Sequence, residues 1–336
     1  KFFGLTEAGT ETFLLKKDGG NYQVVVVVNG KEVVTSSGFL TLLSVDGIDN
    51  NDKFIFDSKV TLESVISFDA SSNSFNASLT GADATLFSNF KIYDLSQLDE
   101  LKTISFTSST ASTFSLVSGI DNQLSFGGTE FYGFKNVTSS YTPIEGDLLN
   151  TLAGSDQADR FSAISDNRLT ANGIVFNDIG TVNAGKGNDD IAHDSNSWFV
   201  KDANETKIGS IDFTGIDTVN KDNSLNTTNR SLAGTTGNDS FSVEKGNSNA
   251  VSANGITYYG IGTVDAGESE DVAVFDNDDV QYDSDNWTIQ RSEETSIEGI
   301  SFKNIESINQ FNSTGITTRN LNGTAGQDLL NIEGTN

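Results

Sequence analysis

Six aspartates, Asp52, Asp159, Asp189, Asp239, Asp271 and Asp328, close short loops that begin with one or more glycines. Two places after each comes an apolar residue: Phe54, Phe161, Ile191, Phe241, Ala273 or Leu330. A carboxylate on such a loop is a hard oxygen donor, and glycine lets the neighbouring carbonyls turn towards the same point. That is calcium chemistry. Calcium takes six to eight oxygens, so one loop cannot complete a site and neighbouring loops must share the ion. The later loops begin at residues 154, 184, 234, 266 and 323, separated by 30, 50, 32 and 57 residues. The two short gaps pair Asp159 with Asp189 and Asp239 with Asp271 as candidate metal ligands. The competing use is structural: the aspartate closes its own turn by accepting a backbone N–H, and the glycines make a corner.

Within GIVFNDIGTVNAGKGNDDIA, residues 173–192, the segment AGKGNDDIA resembles the Gly-Gly-x-Gly-x-Asp-x-apolar-x nonapeptide of RTX, or haemolysin-type calcium-binding, repeats. Ala184 stands for the first glycine, and Gly185, Gly187, Asp189 and Ile191 fill the remaining defined positions. GTTGNDSFS keeps Gly234, Gly237, Asp239 and Phe241 and GTAGQDLLN keeps Gly323, Gly326, Asp328 and Leu330, whereas GSDQADRFS, GIDNNDKFI and AGESEDVAV keep less. The resemblance implies exported bacterial surface proteins and adhesins whose stacked loops hold Ca2+. The family strings its nonapeptides in tandem, and here they are isolated.

Other chemistries find little material. His193 is the only histidine and Cys is absent, so a histidine–zinc site or a Ser-His-Asp triad has one residue to draw on. No nucleophile elbow or HExxH pattern accompanies it. Carboxylate pairs such as Asp189/Asp190 carry no information in a chain with 47 acidic residues. We therefore expect no enzyme. Trp198 and Trp287, in SNSWFV and SDNWTI, suit either sugar stacking or a repeated packing role. The formal charge of −27 makes nucleic acid and anionic membrane poor partners and cations natural ones. No apolar run approaches the ~20 residues of a membrane helix, so membrane insertion is not expected.

The elements that position these residues repeat along the chain. An aromatic or apolar residue is followed by others three and six places on, as Phe39/Leu42/Val45, Phe87/Phe90/Tyr93, Phe131/Phe134/Val137, Phe176/Ile179/Val182, Phe213/Ile216/Val219, Tyr258/Ile261/Val264 and Phe302/Ile305/Ile308. Their first members lie 48, 44, 45, 37, 45 and 44 residues apart. A second pattern opens larger units at Leu152, Leu232 and Leu321 with LAGSDQADRF, LAGTTGNDSF and LNGTAGQDLL. Segments such as GIVF and GITYY are short, β-branched or aromatic, and bounded by turn residues, so they read as strands. NYQVVVVVNGKEVV predicts a hairpin about Asn29-Gly30. One short helix is expected over Leu95 to Lys102.

These readings predict an all-β, elongated repeat protein, a β-solenoid or β-helix, with tandem β-sandwich domains as the alternative. The expected organisation is a divergent N-terminal β repeat region over 1–150, repeat units at 151–231 and 232–320, and the start of a further repeat at 321–336. Pro143 lies in the junction. The chain opens at Lys1 without a leader-like segment, and the expectation is a piece of a longer, exported protein. The expected role is structural or adhesive at a bacterial surface, extracellular, as a stalk, matrix, filament or surface-layer subunit with copies of itself or neighbouring repeats as partners. Surface glycans are further candidate partners, and a carbohydrate-binding or carbohydrate-cleaving β-helix is the alternative function.

Overall fold

A computed structural model of the chain describes residues 2–3, 11–18, 21–38, 43–47, 52–62, 65–69, 71–79, 85–100, 102–108, 110–118, 120–139, 149–193, 197–201, 204–222, 229–243, 249–267, 279–282, 286–291, 294–297, 299–305, 307–308 and 320–322. The protein is all-β: the described residues form 36 strands and no helix. Two compact units divide it, residues 1–187 and 188–336. Each has strands in two mixed sheets.

One pattern governs both units. In the first, Thr113–Leu116, Gln123–Phe126 and Thr129–Tyr132 form an antiparallel meander in one sheet. Phe134–Ser139 then enters the other sheet, Asn150–Ala153 returns, and the next meander, Arg160–Ser165, Arg168–Ala171 and Ile174–Asn177, forms in that other sheet. The second unit does the same. Its meander Ser197–Val200, Glu205–Ile208 and Ile211–Thr214 is followed by the single strands Thr218–Val219 and Arg230–Ala233. The opposite sheet then receives the meander Ser240–Val243, Ala250–Ala253 and Ile256–Tyr259. The sequence repeat of about 44 residues is therefore five strands, and the larger repeat exists because successive meanders alternate between sheets.

Between successive repeats the pairing is parallel. Leu152 lies beside Val182, 30 residues on, and Leu232 beside Val264, 32 residues on. Both strand pairs carry the same register shift, after Asn150 and after Arg230. The tryptophans occupy matching positions: Trp198 pairs with Leu232 and Trp287 with Leu321, while Phe114 holds the corresponding place beside Leu152.

The three-residue spacing marks the crossing from sheet to sheet. Phe176 points inward near the end of one strand, Asp178 takes a left-handed conformation at φ 60°, and Ile179 begins the strand that carries Val182. Every described triple from Phe87 onward repeats this turn two places after its aromatic, with Asn89, Gly133, Asp178, Gly215, Gly260 and Asn304 at positive φ. Gly, Asn and Asp tolerate that region better than other residues. Phe39 and Leu42 lie outside the described residues, as does the side chain of Ile308.

The inward positions bury completely. Phe87, Phe90, Tyr93, Phe131, Phe134, Phe176, Phe213, Tyr258 and Phe302 have no exposed surface. In the first unit Phe75, Tyr93 and Phe131 stack in series, with interplanar angles of 15° and 12°. The hairpin at Asn29-Gly30 forms as expected, with both residues at positive φ between Asn21–Val28 and Lys31–Gly38. The helix expected over Leu95 to Lys102 does not form. Asp94 instead accepts the Ser96 N–H and hydroxyl, and the Leu98 N–H returns to the Leu95 carbonyl, which makes a turn that buries both leucines. Their three-residue spacing serves that turn.

Candidate functional site

Among the described residues, the Gly-x-Asp loops at Asp159, Asp189 and Asp239 lead from a strand of one sheet to a strand of the other, and Asp52, Asp159, Asp189 and Asp239 are buried. Asp159 is 4% exposed and Asp239 3% exposed. The Asp159 carboxylate accepts the Ser155 N–H at 2.6 Å, closing its own loop. Asp239 does the same for Thr235, accepting its N–H at 2.6 Å and its hydroxyl at 2.9 Å. The hydroxyls complete the turn: Ser155 Oγ accepts the Gln157 N–H, and Thr235 Oγ1 accepts that of Gly237. The sequence signal for these two residues is a hydroxyl directly after glycine, in GSDQAD and GTTGND.

Asp52 also bridges strands. Its carboxylate accepts the Glu11 N–H, 41 residues earlier, and its carbonyl accepts the Lys91 N–H. Asp189, fully buried, donates its N–H to the Asp217 carboxylate at 2.8 Å, and its carbonyl accepts the Asp217 and Thr218 N–H groups. The neighbouring Asp190 accepts the Thr218 hydroxyl and the Lys221 N–H. Asp271 and Asp328 lie outside the described residues.

Two of the loops do stack on partners one repeat away. Within the first unit, a Cβ on Gly154 would sit 1.9 Å from the Ala184 carbonyl oxygen and one on Gly185 2.4 Å from that of Ser155. In the second, Gly234 approaches the Ala266 carbonyl oxygen and Gly267 that of Thr235, at 2.1 and 2.2 Å from the same notional atom. Any side chain there would overlap backbone. The glycines are thus needed for direct contact between adjacent loops, held by Gly154 N–H to Asn183 carbonyl and Gly234 N–H to Asp265 carbonyl bonds of 2.7 Å. Ala184 and Ala266, which stand where the RTX-like pattern has its first glycine, are fully buried.

Among the described residues, no three His, Cys, Asp or Glu side chains gather as a metal cage. Asp159 and Asp189 fall in different compact units, and Asp271, the intended partner of Asp239, is outside the described residues. His193 exchanges its backbone N–H and carbonyl with the Asn220 side chain, and its ring lies 6.0 Å from that of Trp198. Trp198 is fully buried, so it packs in the core and offers no platform to a sugar. The Trp287 side chain is outside the described residues. Comparison with known proteins finds no matching family model, no matching curated protein and no matching solved structure.

Proposed function

We propose that this chain is a structural repeat scaffold of a bacterial surface protein, a β-solenoid whose coils serve adhesion or self-assembly outside the cell. The observation that carries the reading is the parallel register. Each repeat offers the next a strand edge of the same kind as the one it received, as in Leu152 beside Val182 and Leu232 beside Val264. Such quasi-one-dimensional stacking can be extended by further repeats or by another copy, and its stability is the sum of local and neighbour terms. The acidic composition keeps scaffolds soluble and leaves cations as counter-partners. Tandem sandwiches are disfavoured because the strands of one five-strand repeat find parallel partners in the next.

In this reading the Gly-x-Asp loops are corners, and Asp159 and Asp239 spend carboxylate oxygens on backbone amides. Loop stacking at a 30- or 32-residue interval favours a second version in which RTX-like corners also hold Ca2+, since sharing between adjacent loops is what calcium requires. The scaffold is tested by sedimentation velocity and negative-stain microscopy over a concentration series, with and without calcium. Growth into regular filaments or sheets is expected. A chain that stays monomeric at every concentration and turns over a polysaccharide instead would establish the carbohydrate-active alternative.

A further inference from the structure

The meanders repeat an outward pair as well as their inward residues, and one meander departs from it. Ser115 lies opposite Ser125, Ser162 opposite Thr170, Ser242 opposite Ser252 and Thr288 opposite Ser296. The first member of each pair directly follows an aromatic, Phe114, Phe161, Phe241 or Trp287. In the meander Ser197–Val200, Glu205–Ile208 and Ile211–Thr214 the residue after Trp198 is Phe199, and its cross-strand partner is Lys207. A hydroxyl pair is therefore enough for the fold at this place, and the aromatic answers another requirement.

Phe199 is 52% exposed, whereas Trp198 before it is fully buried. Single apolar residues are common on protein surfaces and mean little alone. The company of this one is what sets it apart. Lys207 opposite it and Lys201 two places on share the Asp212 carboxylate, at 3.8 and 2.7 Å, and all three side chains are half-exposed. Glu205, two places before Lys207, belongs to the same face by strand alternation. On the other flank Phe199 pairs with Ala233, whose methyl group is too small to cover a phenyl ring. The face thus combines an accessible ring with two lysines balanced by two acids, on a chain whose formal charge is −27. Copies of such a chain repel one another, and they meet at least cost where one of them presents no net charge.

We propose that this face is a lateral contact for a second copy of the chain, in which Phe199 packs on Ile120 of that copy and Lys207 meets its Asp121. Ile120 is 47% exposed, and Asp121 beside it is exposed as well. They precede the second strand of their meander, so they stand at a turn that a flat sheet face can receive. The other exposed isoleucine near an aspartate, Ile164 before Asp166, suits the lysines less, because Arg168 pairs with Ser165 at the same turn. Joining a sheet face of one copy to a turn of another is heterologous, so the contact need not close on itself and can continue from copy to copy. The inference rests on the self-assembling scaffold reading and deepens it, adding a side-to-side contact to the strand edges.

The test is sedimentation equilibrium of the full chain and its variants over one concentration series at fixed salt. Phe199→Ser installs the residue that three other meanders carry at this place, so it should melt as the parent does while its self-association weakens about tenfold or more. Lys207→Glu should weaken association to a similar degree, and adding Asp121→Lys to it should restore the parent's value, because the charge pair is then reversed rather than broken. A photo-crosslinking phenylalanine analogue at position 199, in a mixture of light and isotopically heavy chains, should join light to heavy chains at the peptide carrying Ile120 and Asp121. That readout decides even where a charge variant fails to fold. An assembling parent whose Phe199→Ser variant assembles equally well overturns this contact and leaves the scaffold reading standing. Restoration by Asp166→Lys in place of Asp121→Lys, or crosslinks confined to single chains, likewise overturns it. A parent that stays monomeric throughout the series overturns both.

Discussion

Asp239 shows what one residue does in a corner. Its carboxylate takes two hydrogen bonds from Thr235 while 3% exposed, so removing it leaves a half-buried amide without its acceptor and the hydroxyl with only the more distant Gly237 carbonyl. Hydrogen bonds to a charged group contribute about 1.5–3 kcal/mol each, and the loss of both is not additive. Asp239→Ala should therefore destabilise by about 3 kcal/mol in urea titration, and Asp239→Asn, which keeps one oxygen acceptor, by about 1 kcal/mol. An alanine variant indistinguishable from the parent would remove the closing role from this carboxylate. Asp94 supplies a pH-dependent counterpart. Burial alone pushes its carboxyl up, but the Lys53 ammonium at 2.8 Å and the Ser96 hydroxyl and N–H outweigh burial and hold it below its ordinary value. A depressed native value means that the contribution is complete above the unfolded pKa of about 3.9 and disappears as pH falls through the lower native one. Stability should drop in that acid window, and Asp94→Asn should flatten this part of the profile.

At the scale of elements, the left-handed corner is the recurring device, and its residues are not interchangeable. Gly133, at φ 85°, has no room for a methyl group: a Cβ would lie 2.6 Å from the Leu95 carbonyl carbon and 2.7 Å from the Ser96 nitrogen. Strain of about 1–2 kcal/mol for a left-handed alanine adds to overlap of about 1–3 kcal/mol, so Gly133→Ala should cost about 3 kcal/mol. Asp178 occupies the equivalent turn with an exposed side chain, and Asp178→Gly should change thermal stability by less than about 1 kcal/mol. Equal melting of the two variants would remove the steric argument. Corners were the legible part of the sequence, because burial on both strands and a left-handed residue between them leave a visible mark: Phe176, Asp178, Ile179, Val182. The Asn29-Gly30 turn was legible for the same local reason, and Asn172-Gly173 and Asn254-Gly255 carry the same signal unremarked. The alternation of meanders between sheets was not legible, since strand partners such as Leu152 and Val182 lie a whole repeat apart and no local pattern records which sheet receives them. Leu95 and Leu98 misled for a related reason: three-residue spacing suits a helix face and a capped turn equally. The loop aspartates were legible as carboxylates with two uses, but not as buried ones, and in the Asp159 and Asp239 corners the Ser155 and Thr235 amides take one of their oxygens.

At the scale of the whole molecule, 47 acidic residues against 20 basic ones leave a formal charge of −27, and self-repulsion of that size opposes the folded state. Screening should therefore stabilise the protein. Raising sodium chloride from 10 to 150 mM shortens the Debye length from about 30 to about 8 Å, and the melting temperature should rise by several degrees. Calcium must be separated from this general effect, because any divalent cation screens. The comparison that does so is 2 mM calcium against 2 mM magnesium at matched ionic strength, with a chelated control. If the Gly-x-Asp loops are corners alone, both ions should give the same melting temperature, since the Asp159 and Asp239 carboxylates are already engaged by backbone amides. A shared calcium site of 20 μM affinity would be about one hundredfold saturated at that concentration and would add about 2.7 kcal/mol through native-state linkage. Asp189→Asn combined with Asp239→Asn should then abolish a calcium-specific shift while leaving the sodium chloride response unchanged. A calcium increment that persists in the double variant would place the ion elsewhere, away from the stacked loops.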